Sequence, residues 1–271
     1  SVQGEVNASN ETGQRRQLAV GAAIFQSETV ETGASTSAIL AFRDDSRLTL
    51  GPNTRFKVDS YAFKDGNAGT GRSFMSLVRG SMRALTGVIA KEKQENVGFR
   101  TPTATVGIRG TGLDLDSPAA GDGCSIFNWL GSISITQNGQ TEPRILVAGQ
   151  GLFVSQTEVR PLSEPTLQHL QRPDGITVNL EQLFTVGALD EGAAGLYVFV
   201  RDGNIELDTV SGTLFLSRGE TGYANSKGEV LRPSLLPLFI EFDQTPLPNS
   251  ENPLLITVLN ENNLRAAEIC K

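Results

Sequence analysis

The stretch "TPTATVGIRGTG", residues 101–112, sets three glycines around one arginine. Such a loop can cradle a phosphate, because backbone N–H groups come close to an anion where no Cβ intervenes. A phosphate loop of that kind leads into a helix through Lys-Ser/Thr, and a dinucleotide loop needs G-x-G-x-x-G ahead of a helix. Here no lysine follows Gly112, and "LDLD" (113–116) continues as alternating strand. A nucleotide is therefore not expected. The loop reads as architecture, with Arg109 giving its donors to carbonyls or a carboxylate of neighbouring turns. Asp114 and Asp116 stand two apart, on one side of a strand. Paired carboxylates can hydrolyse a glycoside or hold calcium, but the plainer expectation is a solvated strand face. Asp44-Asp45 likewise reads as a turn before a metal site.

The remaining reactive side chains are few. One histidine cannot build a His-rich metal site, and any Ser-His-Asp arrangement would depend on His169 alone. It sits in "SEPTLQHLQRP", read as a short helix over 163–171 with Ser163 as cap and Pro165 in the first turn. The imidazole is then a helix-surface group. Cys124 and Cys270 form no C-x-x-C or zinc spacing. They are two buried thiols or one disulfide, and export from the cell favours the disulfide. Trp129, crowded by Phe127 and Leu130, is expected in the core rather than as a surface platform for sugars. No catalytic residue, metal or cofactor is expected.

The elements that position these residues read as strands. "SAILAFRDDSRLTL" (37–50) alternates apolar and polar residues on both sides of Asp44-Asp45, as a hairpin does. "RFKVDSYAF" (55–63) follows a turn, and "SFMSLVRGSMRALTG" (73–87) offers two short apolar stretches around Gly80. "GSMRAL" at 80, "GSISIT" at 131 and "GNIELD" at 203 share a leading glycine and alternating side chains. "RGTGLDLD" at 109, "AGQGLFVS" at 148 and "RGETGYAN" at 218 form a second glycine-rich set. Recurrent glycines permit positive φ or close backbone approach where strands turn. The expectation is an all-β chain, solenoid-like or sandwich-like, with repeated glycine-led strands. Helix is confined to 163–171, part of 178–185 and the tail around 258–269.

Composition sets the outer limits. The chain has 271 residues, enough for one large domain or two ordinary ones, and carries a net charge of −7. That charge opposes general binding to nucleic acid or an anionic membrane. No apolar run reaches the roughly 18 residues of a spanning helix. Ser1 in place of methionine is read as the mark of a removed signal segment or a trimmed chain. The organisation expected is a β domain over 1–161 and a β-rich segment over 162–271 with an extended, proline-bearing arm (232–259).

Four separated blocks, "GAAIFQSETVETG", "AILAFRDDSRLTLGPNTRFKVDSY", "LVRGSMRALTG" and "TPTATVGIRGTGLDL", resemble in their order the FecR-like domain of bacterial exported regulators. Gly21 and Thr32-Gly33 match its entry glycine and TG step. Asp44 to Ser46 stand at its Asp-Gly-Ser turn, and Gly80-Ser81 at its GS strand. Thr101, Pro102, Gly107, Arg109, Gly110 and Thr111 fall in its last block. The resemblance spans about residues 18–116. It implies a non-catalytic, solenoid-like β domain in the periplasm or outside the cell. In the best-known members this domain transmits a signal between an outer-membrane receptor and a membrane-bound regulator. The function expected is a protein-interaction, scaffold or signalling module whose partner is another envelope protein or a second copy. The alternative is a carbohydrate-binding or carbohydrate-active β-solenoid.

Overall fold

Alternating side chains and glycine turns do produce strands, and the protein is all-β. The structure, a computed structural model, describes residues 2–63, 68–119, 122–189, 193–201, 203–217 and 220–234. Residues Ser1–Leu235 cluster as one compact unit, and the rest of the chain, with the expected tail helix, lies outside the described residues. The first strands are β1 (Val2–Gln3), β2 (Val6–Ser9), β3 (Arg15–Gln17), β4 (Thr29–Thr32), β5 (Ser37–Ala41), β6 (Arg47–Leu50), β7 (Arg55–Ala62) and β8 (Arg72–Leu85). A short helix, α1 (Val88–Glu92), leads to β9 (Val97–Arg100), β10 (Ala104–Ile108), β11 (Gly112–Ser117) and β12 (Gly123–Leu130). Then follow β13 (Ser132–Gln137), β14 (Arg144–Val147), β15 (Gln150–Ser155) and β16 (Val159–Leu162).

These strands form two ladders that share β8. Residues 72–79 of β8 belong to the order β3-β2-β4-β7-β8-β9-β10-β13-β14, and residues 80–85 to the order β1-β5-β6-β8-β11-β12-β15-β16. The two apolar stretches around Gly80 are thus one strand with a bend. Gly80 has φ +91°, and a Cβ there would lie 2.4 Å from Thr54 Cα, so only glycine fits. One apolar core serves both ladders, with Leu50, Phe56, Met75, Met82, Leu113, Ile126 and Ile133 all buried in it. The leading glycines of the three similar strands share a conformation: Gly80, Gly131 and Gly203 all have positive φ. Gly110 and Gly149 of the second set do too, while Gly219 lies outside the described residues.

At three places where the chain crosses between ladders a buried threonine hydroxyl holds the backbone. Thr54 Oγ1 accepts from the Ser81 N–H at 3.0 Å and donates to the Ser81 carbonyl at 3.1 Å. Thr86 Oγ1 treats Thr111 the same way, at 2.9 and 3.0 Å. Thr32 Oγ1 accepts from the Thr54 N–H at 2.9 Å and donates to the Gly51 carbonyl at 2.7 Å. The expected hairpin is β5–β6, and Asp45 takes its left-handed position with φ +64°. Aspartate tolerates that region better than most residues. Asp44 turns inward, where its carboxylate accepts from Ser46 Oγ at 2.7 Å and from the Tyr61 hydroxyl at 3.2 Å.

The ladder ends differ from the interior. β1 is two residues long and β3 carries Arg15 and Arg16. Pro143 precedes β14, whose Val147 N–H donates to Gln150 Oε1 at 3.1 Å, and β16 contains Pro161. After β16 the expected helix over 163–171 is corrected: these residues form turns, with one local bond from the Leu170 N–H to the Leu167 carbonyl. The reason is that the Leu167 and Leu170 carbonyls accept from a side chain, Arg83, instead of from a helical ladder. Within 178–185 a helix does form, α2 (Leu180–Phe184), capped by Asn179. Beyond it, β17 (Val186–Gly187), β18 (Leu196–Phe199), β21 (Thr221–Ala224) and β22 (Val230–Pro233) make a four-stranded sheet, and β19 (Asn204–Thr209) pairs with β20 (Gly212–Ser217). No helix among the described residues is long and apolar enough to cross a membrane.

Replacing Thr54 or Thr86 by valine keeps the shape and removes the hydroxyl, leaving the buried N–H of Ser81 or of Thr111 without its acceptor. Each change is expected to lower stability by about 1–3 kcal/mol. Gly80→Val is expected to cost more than either, since strain and a backbone clash combine. Urea melts of the three variants check the ranking.

Candidate functional site

The "GIRGTG" loop is the corner between β10 in one ladder and β11 in the other. Gly110 has φ +70°, and its carbonyl lies where a Cβ on Gly131 would fall, at 2.1 Å. Thr111 is buried; its hydroxyl reaches Asn128 Oδ1 at 2.7 Å and the Leu130 carbonyl. Arg109 departs from expectation. Its N–H donates to the Ser132 carbonyl at 3.1 Å, but its side chain is exposed and makes no hydrogen bond among the described residues. The corner is held by glycine conformation and threonine hydroxyls, not by a guanidinium. The other motif residues are also structural. Thr101 Oγ1 accepts from the Ala104 N–H at 3.0 Å, and the exposed Pro102 gives its carbonyl to Asn138 Nδ2 at 2.9 Å. Gly107 faces Ser134, whose Oγ would be 2.5 Å from a Cβ.

The carboxylates of β11 do not lie on a solvated face, which corrects the second expectation. Asp114 is 1% exposed and stands opposite Arg83 in the β11–β8 register. Arg83 Nε donates to Asp114 Oδ1 at 2.9 Å, and Arg83 Nη1 donates to the carbonyls of Leu167 and Leu170 at 3.0 and 2.6 Å. The Trp129 indole N–H also donates to Asp114 Oδ1, at 2.9 Å. Asp114 Oδ2 is buried without a hydrogen-bond partner among the described residues. Asp116, on the same side, is half-buried against Thr166 and His169. Trp129 is half-buried rather than central: a Cβ on Gly112 would lie 2.2 Å from its ring, and the Arg172 guanidinium stacks 4.0 Å from its centroid. The residues 163–172 thus lie across the outer face of β8 and β11, over a buried ion pair.

Arg83 was not singled out by spacing. The available signal is a lone arginine in the apolar "SMRALTG" and the two alternating aspartates in "GLDLD", in two strands of alternating pattern. What alternation does not show is that a later segment covers them. Burial sets the local acidities. Desolvation pushes the Asp114 carboxyl above the ordinary aspartate value, against the opposing pull of Arg83, Trp129 and Arg172. It does the same to Asp116, against Thr166 and His169. Cys124 is fully buried, and desolvation pushes its thiol up to about 12, where it is inert as a nucleophile. It is a free thiol in the structure; Cys270 lies outside the described residues.

The fold defines an all-β domain whose strands turn at glycines and are pinned by threonines, with the Asp114 carboxylate locked in an ion pair with Arg83. Residues 28–132 match the family described as FecR protein. No curated protein matches the chain. Two crystal structures from Parabacteroides distasonis ATCC 8503, both described as anti-sigma factors, are similar to it. One, at 2.50 Å resolution, is 12% identical, with a TM-score of 0.40 over 64% of this chain and 68% of that one. The other, at 1.65 Å, is 13% identical, with a TM-score of 0.39 over 65% and 68%.

Two predictions follow from the site. Arg83→Met leaves the Asp114 charge and two carbonyls without donors, an expected loss of about 3–5 kcal/mol. Arg109→Ala, at an exposed position, is expected to stay within about 0.5 kcal/mol of the parent. Urea melts separate the two arginines. The second concerns pH. Asp116 has its pKa raised on folding from 3.8, so its protonated form favours the folded state. That contribution is complete below the unfolded value and is lost as pH rises through the folded one. The stability of the parent relative to Asp116→Asn should therefore fall with rising pH across the acid range, then level off. Paired urea midpoints from about pH 3.5 to 7 give the sign.

Proposed function

We propose that this chain is a non-enzymatic module of the bacterial envelope that acts in signalling or regulation by binding another protein, in the periplasm or outside the cell. The observation that carries this reading is the match of residues 28–132 to the FecR family. The site geometry is consistent with it. Asp114 is engaged by Arg83 and Trp129 beneath Leu167 and Leu170, so no substrate atom reaches it while residues 163–172 are in place. Trp129 packs on Gly112 and under Arg172, so the sugar-platform alternative has no open ring to favour it. A scaffold role, with envelope partners or other copies held on strand faces, belongs to the same proposal.

The test is retention. Immobilised full chain, exposed to native envelope extract with a reversible crosslinker, is expected to hold a defined protein that cytosolic extract does not supply. Turnover of a glycan that disappears in an Asp114→Asn, Asp116→Asn double variant would overturn the reading.

A further inference from the structure

Residues 163–172 contact the β8–β11 face in the manner of a bound peptide. They form neither helix nor strand, and only Leu167 and Leu170 among them are buried. Two apolar anchors three residues apart, with exposed residues between and around them, are the pattern of a segment docked by its side chains. Their carbonyls are gripped by a side chain of the face, Arg83. Arg172 closes the contact by stacking on Trp129. Tryptophan and arginine are the residue types that dominate binding energy at protein interfaces.

The fit is also incomplete. Asp114 Oδ2 is buried beside this contact and accepts no hydrogen bond among the described residues. A buried carboxylate oxygen left without a donor is costly, so an occupant that brings one binds better than the present one. The neighbouring groups do not supply it: Arg83 Nε and the Trp129 N–H both go to Oδ1, and Arg83 Nη1 goes to the two carbonyls.

We propose that the face formed by Arg83, Asp114 and Trp129 is a docking site for a turn-forming segment of a partner protein. The partner segment carries two apolar anchors three residues apart and a hydrogen-bond donor for Asp114 Oδ2. Residues 165–172 occupy the site within the chain as a displaceable placeholder. The inference rests on the interaction-module reading above and names the surface that such a module would use.

The probe is the synthetic peptide Pro-Thr-Leu-Gln-His-Leu-Gln-Arg, the placeholder's own sequence, and the reporter is Trp129, the single tryptophan of the chain. In the full chain carrying Leu167→Ser and Leu170→Ser the seat is vacated. The peptide is expected to bind this variant at least about tenfold more tightly than the parent, with a shift in Trp129 emission. A peptide with both leucines replaced by serine is expected not to bind. Equal binding to parent and variant, or binding to neither, overturns the proposal. Should the variant fail to fold, hydrogen exchange on the parent decides. Amides of 166–172 are expected to exchange by local opening, at least about tenfold faster than those of Leu113 and Leu115. Exchange of both sets at one rate overturns the placeholder. A partner retained from the envelope that excess peptide fails to release also overturns the inference, while leaving the interaction-module reading intact.

Discussion

Strands that pass from one sheet ladder to another must leave their hydrogen-bonding partners at the corner, and the groups they strand there are buried. The whole β architecture depends on how those groups are satisfied. The chain uses one device repeatedly: a threonine hydroxyl that accepts from an N–H and donates to a carbonyl of the crossing strand. Thr54 does this for Ser81, Thr86 for Thr111, and Thr32 for Thr54 and Gly51. A hydroxyl suits the task because it is donor and acceptor at once in a volume close to that of a methyl group. Glycine supplies the complementary freedom, since positive φ at Gly80, Gly110 and Gly131 lets the chain turn without a Cβ in the way.

The buried Arg83–Asp114 pair obeys the same rule with charges. Taking a carboxylate from water is tolerable only with close donors, and Asp114 has two on one oxygen. Arg83 in turn needs acceptors for its remaining donors and finds carbonyls in residues 163–172. A polar need in the β8–β11 face thus recruits a segment from outside the FecR match and decides that this segment stays in turns. Local propensity alone, with Ser163 and Pro165 well placed for a helix start, points the other way.

Much of the strand content was legible, because period-two alternation and glycine turns are local signals. The β5–β6 hairpin, β7, and the positive-φ glycines at 80, 131 and 203 follow from them directly. The site was legible only in part. Asp114 and Asp116 were placed on one strand face, but their burial depends on residues some fifty positions later, which no local pattern encodes. Arg109 misled for a related reason. An arginine in a glycine loop suggests a tie between turns, yet the neighbouring threonines already satisfy the corner and leave its guanidinium in water.

The ends of the ladders bear on how copies of this chain can meet. A sheet that grows by adding strands from other molecules needs open rows of N–H and C=O groups at its margins. Here β1 offers only two residues, β3 presents arginines, Pro143 and the Gln150 side chain blunt β14, and Pro161 interrupts β16. Each margin of these two ladders carries a different obstacle, so they offer no ready starting point for templated stacking. Contacts that these two ladders make with another molecule then fall to side chains on their faces rather than to backbone at their margins.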